Sequence, residues 1–204
     1  RVNRLATTRD ALLEELARAN VGARKGERPE AVVLEGAGDP GKLACLREGR
    51  ATVQDETAMS VAPFAGPSAG QRVLDLCAAP GGKATHLAEL MDDRGVVIAT
   101  DVDPSRLELV REAAARLRLA SVQPFLLGPG QPEPPGGPFD VVVADVPCSN
   151  TGVLRRRVEV RSRIDGLERA ELLALQARLA AQALGHLRVG GALIYSTCSI
   201  DREE

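Results

Sequence analysis

The sequence predicts an α/β protein built on a doubly wound, mostly parallel sheet, and three observations lead there. From Arg72 onward, apolar strand-length runs alternate with helix-length segments whose leucines and alanines recur every three to four residues. The runs "GVVIAT" and "FDVVVADV" are apolar at almost every position, as strands buried on both faces of a parallel sheet are. Polar or cysteine-bearing stretches follow these runs directly, at the strand ends where ligands sit in such sheets.

Element by element, residues 8–20 read as an amphipathic helix. Thr7 or Thr8 can cap it, Leu12, Leu13 and Leu16 share a face, and Gly22 is the expected stop. A loop-rich stretch through "GARKGERPE" and "GAGDPGK" follows, with "AVVLE" as a short strand between, and "GPSAG" (residues 66–70) reads as a hinge. Then come the strand "RVLDLC", a glycine turn, a helix from Lys83 to Met91, and the strand "GVVIATDV". Asp103 can cap the next helix, with Pro104 at its first position and Leu107, Val110, Ala114 and Leu117 on one side. "VQPFLL" is a third strand, "FDVVVADV" a fourth, and Leu167–Leu187 a long helix carrying Leu172, Leu175, Leu179, Ala183 and Leu187 along one stripe. "RVGG" is expected to turn into the last strand, "ALIYST".

Bulk properties narrow the function classes. The chain has 204 residues and a net charge of −2, so no global field attracts nucleic acid and any such partner must be held by a local patch. The candidate patch is "VLRRRVEVRSR", where Arg155, Arg156, Arg157, Arg161 and Arg163 face only Glu159, although such a run can also be a plain solvated face. The four cysteines, Cys45, Cys77, Cys148 and Cys198, form no CxxC pair, so neither a disulfide framework nor a metal site is expected. No apolar run approaches a bilayer span and the start "RVNRLATTRD" is not a signal peptide, so the expectation is a cytoplasmic protein with no membrane partner.

The loop "DLCAAPGGKATH" lets a ligand approach backbone and helix amino end together. A phosphate-binding GxxxxGK[ST] loop fails at two of its four fixed positions, since Cys77 stands at the first glycine and Ala84 at the metal-binding hydroxyl. GxGxxG is absent, which leaves an S-adenosylmethionine loop. Asp101 ends the next strand about twenty residues on, where an acid can accept from ribose hydroxyls; its competing reading, a helix cap, is already filled by Asp103. The two late cysteines, in "DVPCSNTG" and "STCS", end strands expected to be neighbours, so both thiols can face one pocket. Taken alone, Cys198 could be a small buried hydrophobe. Two thiols and an acid also suit one reaction: a thiolate adds to carbon 6 of a pyrimidine, making carbon 5 enamine-like enough to take a methyl group. Asp145 could bond the base edge, and a second thiol could assist loss of the carbon-5 hydrogen.

These residues carry a resemblance. The stretches "TVQDETAMSVAP", "VLDLCAAPGGKATHL", "ATDVDPSRL", "FDVVVADVPCSNTGVLRRR", "LLALQARLAAQAL" and "GGALIYSTCSIDREE", in that order, resemble the RNA cytosine-C5 methyltransferases, most closely the bacterial 16S ribosomal RNA enzymes. The resemblance implies a Rossmann-like methyltransferase with Cys198 as nucleophile and Cys148 assisting product release. It implies cofactor contacts from Cys77, Ala78, Ala79, Pro80, Gly81, Gly82 and Lys83, with Asp101 on the ribose and Asp145 near both methyl donor and base. In DNA cytosine methyltransferases the nucleophile comes from a "PC" motif, which keeps Cys148 as the alternative. Residues 1–62 are expected to belong to an RNA-binding module and residues 63–204 to form the catalytic domain. RNA, held through Arg155, Arg156, Arg157 and Arg161, is the expected partner of a monomer.

Three features depart from the family pattern. Gly128 stands where an aspartate near the adenine is common, Val158 and Ser162 replace a proline and a tryptophan, and the sequence ends six residues after Cys198. They raise two alternatives: a catalytically impaired RNA-binding relative, and a fragment with "LIYSTC" as an open sheet edge.

Overall fold

The computed structural model describes residues 1–36, 38–128, 130, 133–153 and 166–202. Helix α1 (Arg9–Arg18) starts where Thr8 accepts the Ala11 N–H on its hydroxyl, and it buries Leu12 and Leu16. It ends at Asn20, which takes a left-handed conformation with φ 55°, and not at Gly22. Gly22 instead opens strand β1 (Gly22–Lys25), which pairs antiparallel with β2 (Val32–Glu35). The sequence pattern suggests a loop for β1. "GARK" carries no apolar alternation because three of its four residues stay exposed, so the ladder rather than burial holds it. The short helices α2 (Ala44–Arg47) and α3 (Val61–Ala65) follow.

The larger sheet then forms from β3 (Arg72–Asp75), α4 (Gly82–Leu90), β4 (Val96–Asp101), α5 (Pro104–Leu117), β5 (Val122–Leu126), β6 (Phe139–Asp145), α6 (Gly166–His186) and β7 (Leu187–Ser196). Its order is β5-β4-β3-β6-β7, and every pairing is parallel. The chain winds outward from β3 to β5 and restarts at β6 on the other side of β3. The winding therefore reverses between β3 and β6, and a crevice opens beyond their carboxyl ends. "RVGG" lies within β7, where Gly190 has φ 77° and the register against β6 shifts between Phe139 and Val141. β5 and β7 are the two edge strands of this sheet among the described residues.

Strand alternation decides which side chains meet above and below. Val73, Val97, Ala99, Val141 and Val143 pack against Leu87 of α4, Met91 just after it, and Val110 and Ala114 of α5. Leu74, Ile98, Val142 and Ala144 face the other way, towards Leu179 and Ala183 of α6. Asp75 lies two positions beyond Val73 and Asp145 two beyond Val143, so both carboxylates belong to the α4 side.

The first sixty residues are stapled to this framework by buried polar contacts. The Arg1 guanidinium donates to Glu89 Oε1 at 2.8 Å, to Thr85 Oγ1 at 3.0 Å and to the Gly82 carbonyl at 2.7 Å. Asn3 Nδ2 donates to the carbonyls of Gly49 and Leu117, while Arg116 reaches the carbonyls of Leu46 and Ala51. Burial is the largest influence on both members of the Arg1–Glu89 pair, lowering the pKa of Arg1 and raising that of Glu89. Each charge is tolerated because the other is there. Glu89→Leu should therefore destabilise the chain by about 3 kcal/mol in urea unfolding, and adding Arg1→Met should recover most of that loss.

Candidate active site

The glycine-rich turn after β3 is pinned to both neighbouring strands. Leu76 N–H donates to the Val143 carbonyl at 2.9 Å and Ala78 N–H to the Thr100 carbonyl at 2.8 Å. Gly81 adopts φ 102°, and a Cβ there would sit 3.1 Å from Val110 Cα, so glycine lets the turn lie against α5. Lys83, in the first turn of α4, points back across the strand ends and its Nζ reaches Asp145 Oδ2 at 2.7 Å. The other carboxylate oxygen, Oδ1, accepts the Ser196 hydroxyl at 2.7 Å. A single carboxylate thus joins the glycine-rich turn, β6 and β7.

Beneath this pair lies Asp75, fully buried. Neither of its oxygens has a well-formed hydrogen bond. Burial raises its pKa to about 7, against the pull of the Lys83 ammonium and of the Ala84 and Cys77 N–H groups. Asp101, at the end of β4, accepts the Asp103 N–H at 3.0 Å and lies 3.6 Å from the Arg106 guanidinium. Asp103 itself caps α5 through the N–H groups of Ser105 and Arg106, as expected.

Beyond β6 and β7 the two loops close on each other. Cys148 and Cys198 place their Sγ atoms 2.9 Å apart, and the Cys198 N–H points at Cys148 Sγ at 3.3 Å. Ser199 Oγ lies 3.1 Å from Ser149 Oγ and 2.9 Å from Thr151 Oγ1. Gly152 N–H donates to the Cys198 carbonyl at 2.9 Å. A Cβ on Gly152 would come within 2.4 Å of that carbonyl oxygen, so the close approach requires glycine. From α6, Gln176 Nε2 holds the Pro147 carbonyl at 2.9 Å and Arg169 pairs with Asp201 at 2.8 Å. Cys198 is exposed and is not a core residue. Partial burial and then the neighbouring Cys148 raise its pKa to about 12, and burial does the same to Cys77.

A cavity of about 610 Å³ opens at the winding reversal, lined by Cys77, Ala79, Asp101, Asp145, Cys148 and Cys198, with Gly128 on its rim. Not every expected residue reaches it. Ala78 is buried, and Pro80 and Gly82 line a separate groove facing Thr52 and Arg116. Lys83 acts on the cavity through Asp145. Arg155, Arg156, Arg157 and Arg161, with Val158 and Ser162, lie outside the described residues. Among the described residues no cluster of three or more His, Cys, Asp or Glu side chains could hold a metal ion, and no helix is long and apolar enough to cross a membrane. His86 is buried neutral, its pKa lowered to about 3 chiefly by burial, and His186 packs edge-on against Phe139. Sequence reasoning missed Asp75, Ser196, Asn150 and Gln176. For Asp75 the signal was present: a carboxylate inside the apolar run "VLDL".

Residues 63–204 match the family described as 16S rRNA methyltransferase RsmB/F. The chain belongs to this family. It is 40% identical over 205 residues to the ribosomal RNA small subunit methyltransferase B of Serratia proteamaculans, covering 98% of this chain and 47% of that protein. It is 33% identical over 206 residues to the probable ribosomal RNA small subunit methyltransferase B of Bacillus subtilis, covering 100% of this chain and 46% of that protein. The chain thus spans about half the length of these RsmB/F relatives. Among solved structures, PH0851 superposes over the whole chain with a TM-score of 0.94 and 34% identity, covering 47% of that chain. A methyltransferase homolog protein from Pyrococcus horikoshii superposes with a TM-score of 0.82 and 29% identity, covering 100% of this chain and 65% of that one. NSun6 from Pyrococcus horikoshii with SFG, at 20% identity and a TM-score of 0.88 over all of this chain and 76% of that one, shares the fold. The Rossmann-like methyltransferase architecture is the one the sequence predicts.

The buried Asp75 gives a pH signature. Its pKa is 3.8 ordinarily and about 7 in the folded chain, so folding is favoured while the group keeps its proton. As pH rises through 4 to 7 the unfolded chain releases the proton first, and a contribution of about 4 kcal/mol is lost. Asp75→Asn should flatten that slope: relative to wild type, urea unfolding should show the variant more stable at pH 8 than at pH 5.

Proposed function

We propose that the chain carries the catalytic site of an S-adenosylmethionine-dependent methyltransferase acting on carbon 5 of a cytosine in 16S ribosomal RNA, with Cys198 as the covalent nucleophile. One observation carries the reading: two thiols 2.9 Å apart stand on the same cavity as a carboxylate that is tied to the glycine-rich turn.

The residues fit the cofactor. Asp75, a buried carboxyl without a well-formed hydrogen bond beneath the turn, suits the ammonium of its amino-acid end. Of the turn, Cys77 and Ala79 line the cavity, and on this reading they receive that end of the cofactor while Asp101, on the same cavity, takes the ribose. S-adenosylmethionine supplies an electrophilic methyl group. The chain's own residues do the remaining work. Cys198, as the thiolate, adds its sulfur to carbon 6 as the C5=C6 double bond opens towards carbon 5, and Asp145 hydrogen-bonds the base edge; once carbon 5 carries the methyl group, Cys148 helps take its proton as the double bond re-forms and Cys198 leaves.

On this reading residues 63–204 are the catalytic domain and residues 1–62 part of an RNA-binding module, in a monomeric cytoplasmic enzyme. Arg155, Arg156, Arg157 and Arg161 act as phosphate ligands. A catalytically impaired RNA-binding relative is the second reading, favoured by Gly128, which lines the cavity with no side chain although there is open space for one.

Cys198→Ala should abolish both methyl transfer and the protein–RNA adduct, while Cys148→Ala should accumulate the adduct, seen as a slow band on denaturing gels. Full turnover by Cys198→Ala would sink the assignment. Replacing Arg155, Arg156 and Arg157 should weaken RNA binding and lower its log–log salt slope by roughly one for each phosphate ligand removed.

A further inference from the structure

Asn150 occupies the space between the two thiol loops in an unusual backbone state, φ 59°, which asparagine tolerates better than most residues. Its Nδ2 donates to the Cys148 carbonyl at 2.9 Å, and its Oδ1 lies 3.0 Å from Cys198 Sγ. A carbonyl can only accept, so the first contact fixes which end of the amide faces the thiol. The Oδ1 end also can only accept, so the Cys198 proton must point at it. The remaining hydrogen bonds then follow without conflict. The Cys198 N–H donates to Cys148 Sγ, the Cys148 thiol donates to Cys198 Sγ across 2.9 Å, and the Cys198 thiol donates to Asn150. Each sulfur then donates one hydrogen bond and accepts one, with both protonated.

We propose that Asn150 is a positioning residue that holds Cys198 as a thiol turned towards Cys148 while RNA is absent, so that the nucleophile is masked until the base enters. The functional meaning rests on Cys198 being the nucleophile; the masking itself does not. Loss of the Cys198 proton would leave a thiolate facing an amide oxygen at 3.0 Å. Relief requires the amide to turn, which breaks its bond to the Cys148 carbonyl. Burial first, and then the hydrogen bond and charge of Cys148, raise the pKa of Cys198 to about 12. Asn150 also lines the cavity, so an arriving base can compete for its amide and open the ring where attack is to occur.

The test is the pH dependence of Cys198 alkylation by iodoacetamide, followed by peptide mass spectrometry on the RNA-free chain. Asn150→Gly keeps the left-handed backbone and removes the amide. Its alkylation profile should move to lower pH by about one unit, giving about tenfold faster labelling at a fixed pH below the midpoint. Asn150→Asp keeps an acceptor and adds negative charge, so its profile should move to higher pH. A merely loosened loop would move both variants the same way. A glycine profile superimposed on wild type, or two shifts of the same sign, would overturn the proposal. Full methyl transfer by Cys198→Ala would refute the nucleophile assignment while leaving the alkylation result to stand or fall alone.

Discussion

The ion pair between Lys83 and Asp145, 2.7 Å long and only partly exposed, is the contact on which the rest of the site depends. Lys83 belongs to the helix that opens from the glycine-rich turn, and Asp145 ends the strand on the far side of the winding reversal. The Ser196 hydroxyl on the other oxygen of Asp145 extends the same link to β7, two residues before Cys198. Three strand ends are thereby fixed relative to one another, and a cavity with the turn at one end and both thiols at the other follows from that fixation. Alternation along β3 and β6 makes the pairing possible, because it sends Asp75 and Asp145 to the face that α4 covers.

Polar side chains fix the neighbourhood that apolar packing alone would leave loose. The two cores flanking the sheet set the strand register, but they do not specify how the loops after β6 and β7 approach each other. That approach depends on the hydroxyls of Ser149, Thr151 and Ser199, on the glycine at 152 and on the amide of Asn150. At the other end of the molecule, Arg1 and Asn3 perform the same service between the N-terminal segment and helices α4 and α5. Arg1 also reaches the Gly82 carbonyl, so docking of that segment and the shape of the turn are mechanically connected.

The alternating β and α segments and the placement of Cys77, Asp101, Asp145, Cys148 and Cys198 at strand ends were legible in the sequence, because a parallel sheet needs long apolar runs and puts functional residues just after them. β1 was not, since its register comes from pairing with β2 and leaves no burial pattern. The stop of α1 was misplaced by two residues because asparagine can end a helix in the left-handed state as glycine does. Asp75 carried a visible signal. Asn150 and Ser196 carried none, since their importance lies in a partner about fifty residues away that only the folded β6–β7 pair brings close. The contacts that surround the Cys198 thiol were equally hidden: the sequence suggests a nucleophile and says nothing of the Asn150 amide beside it.

One carboxylate, Asp145, joins the glycine-rich turn to the thiol pocket. Calorimetric titration with S-adenosylmethionine of the wild-type chain and of Asp145→Ala, each first shown to unfold cooperatively, tests this coupling most directly. Saturable binding by the wild type and at least about tenfold weaker binding by the variant is the predicted result, since about 1.4 kcal/mol is the least that loss of a charged tether at the site should remove. Equal affinities, or no binding by a folded wild-type chain, would contradict it.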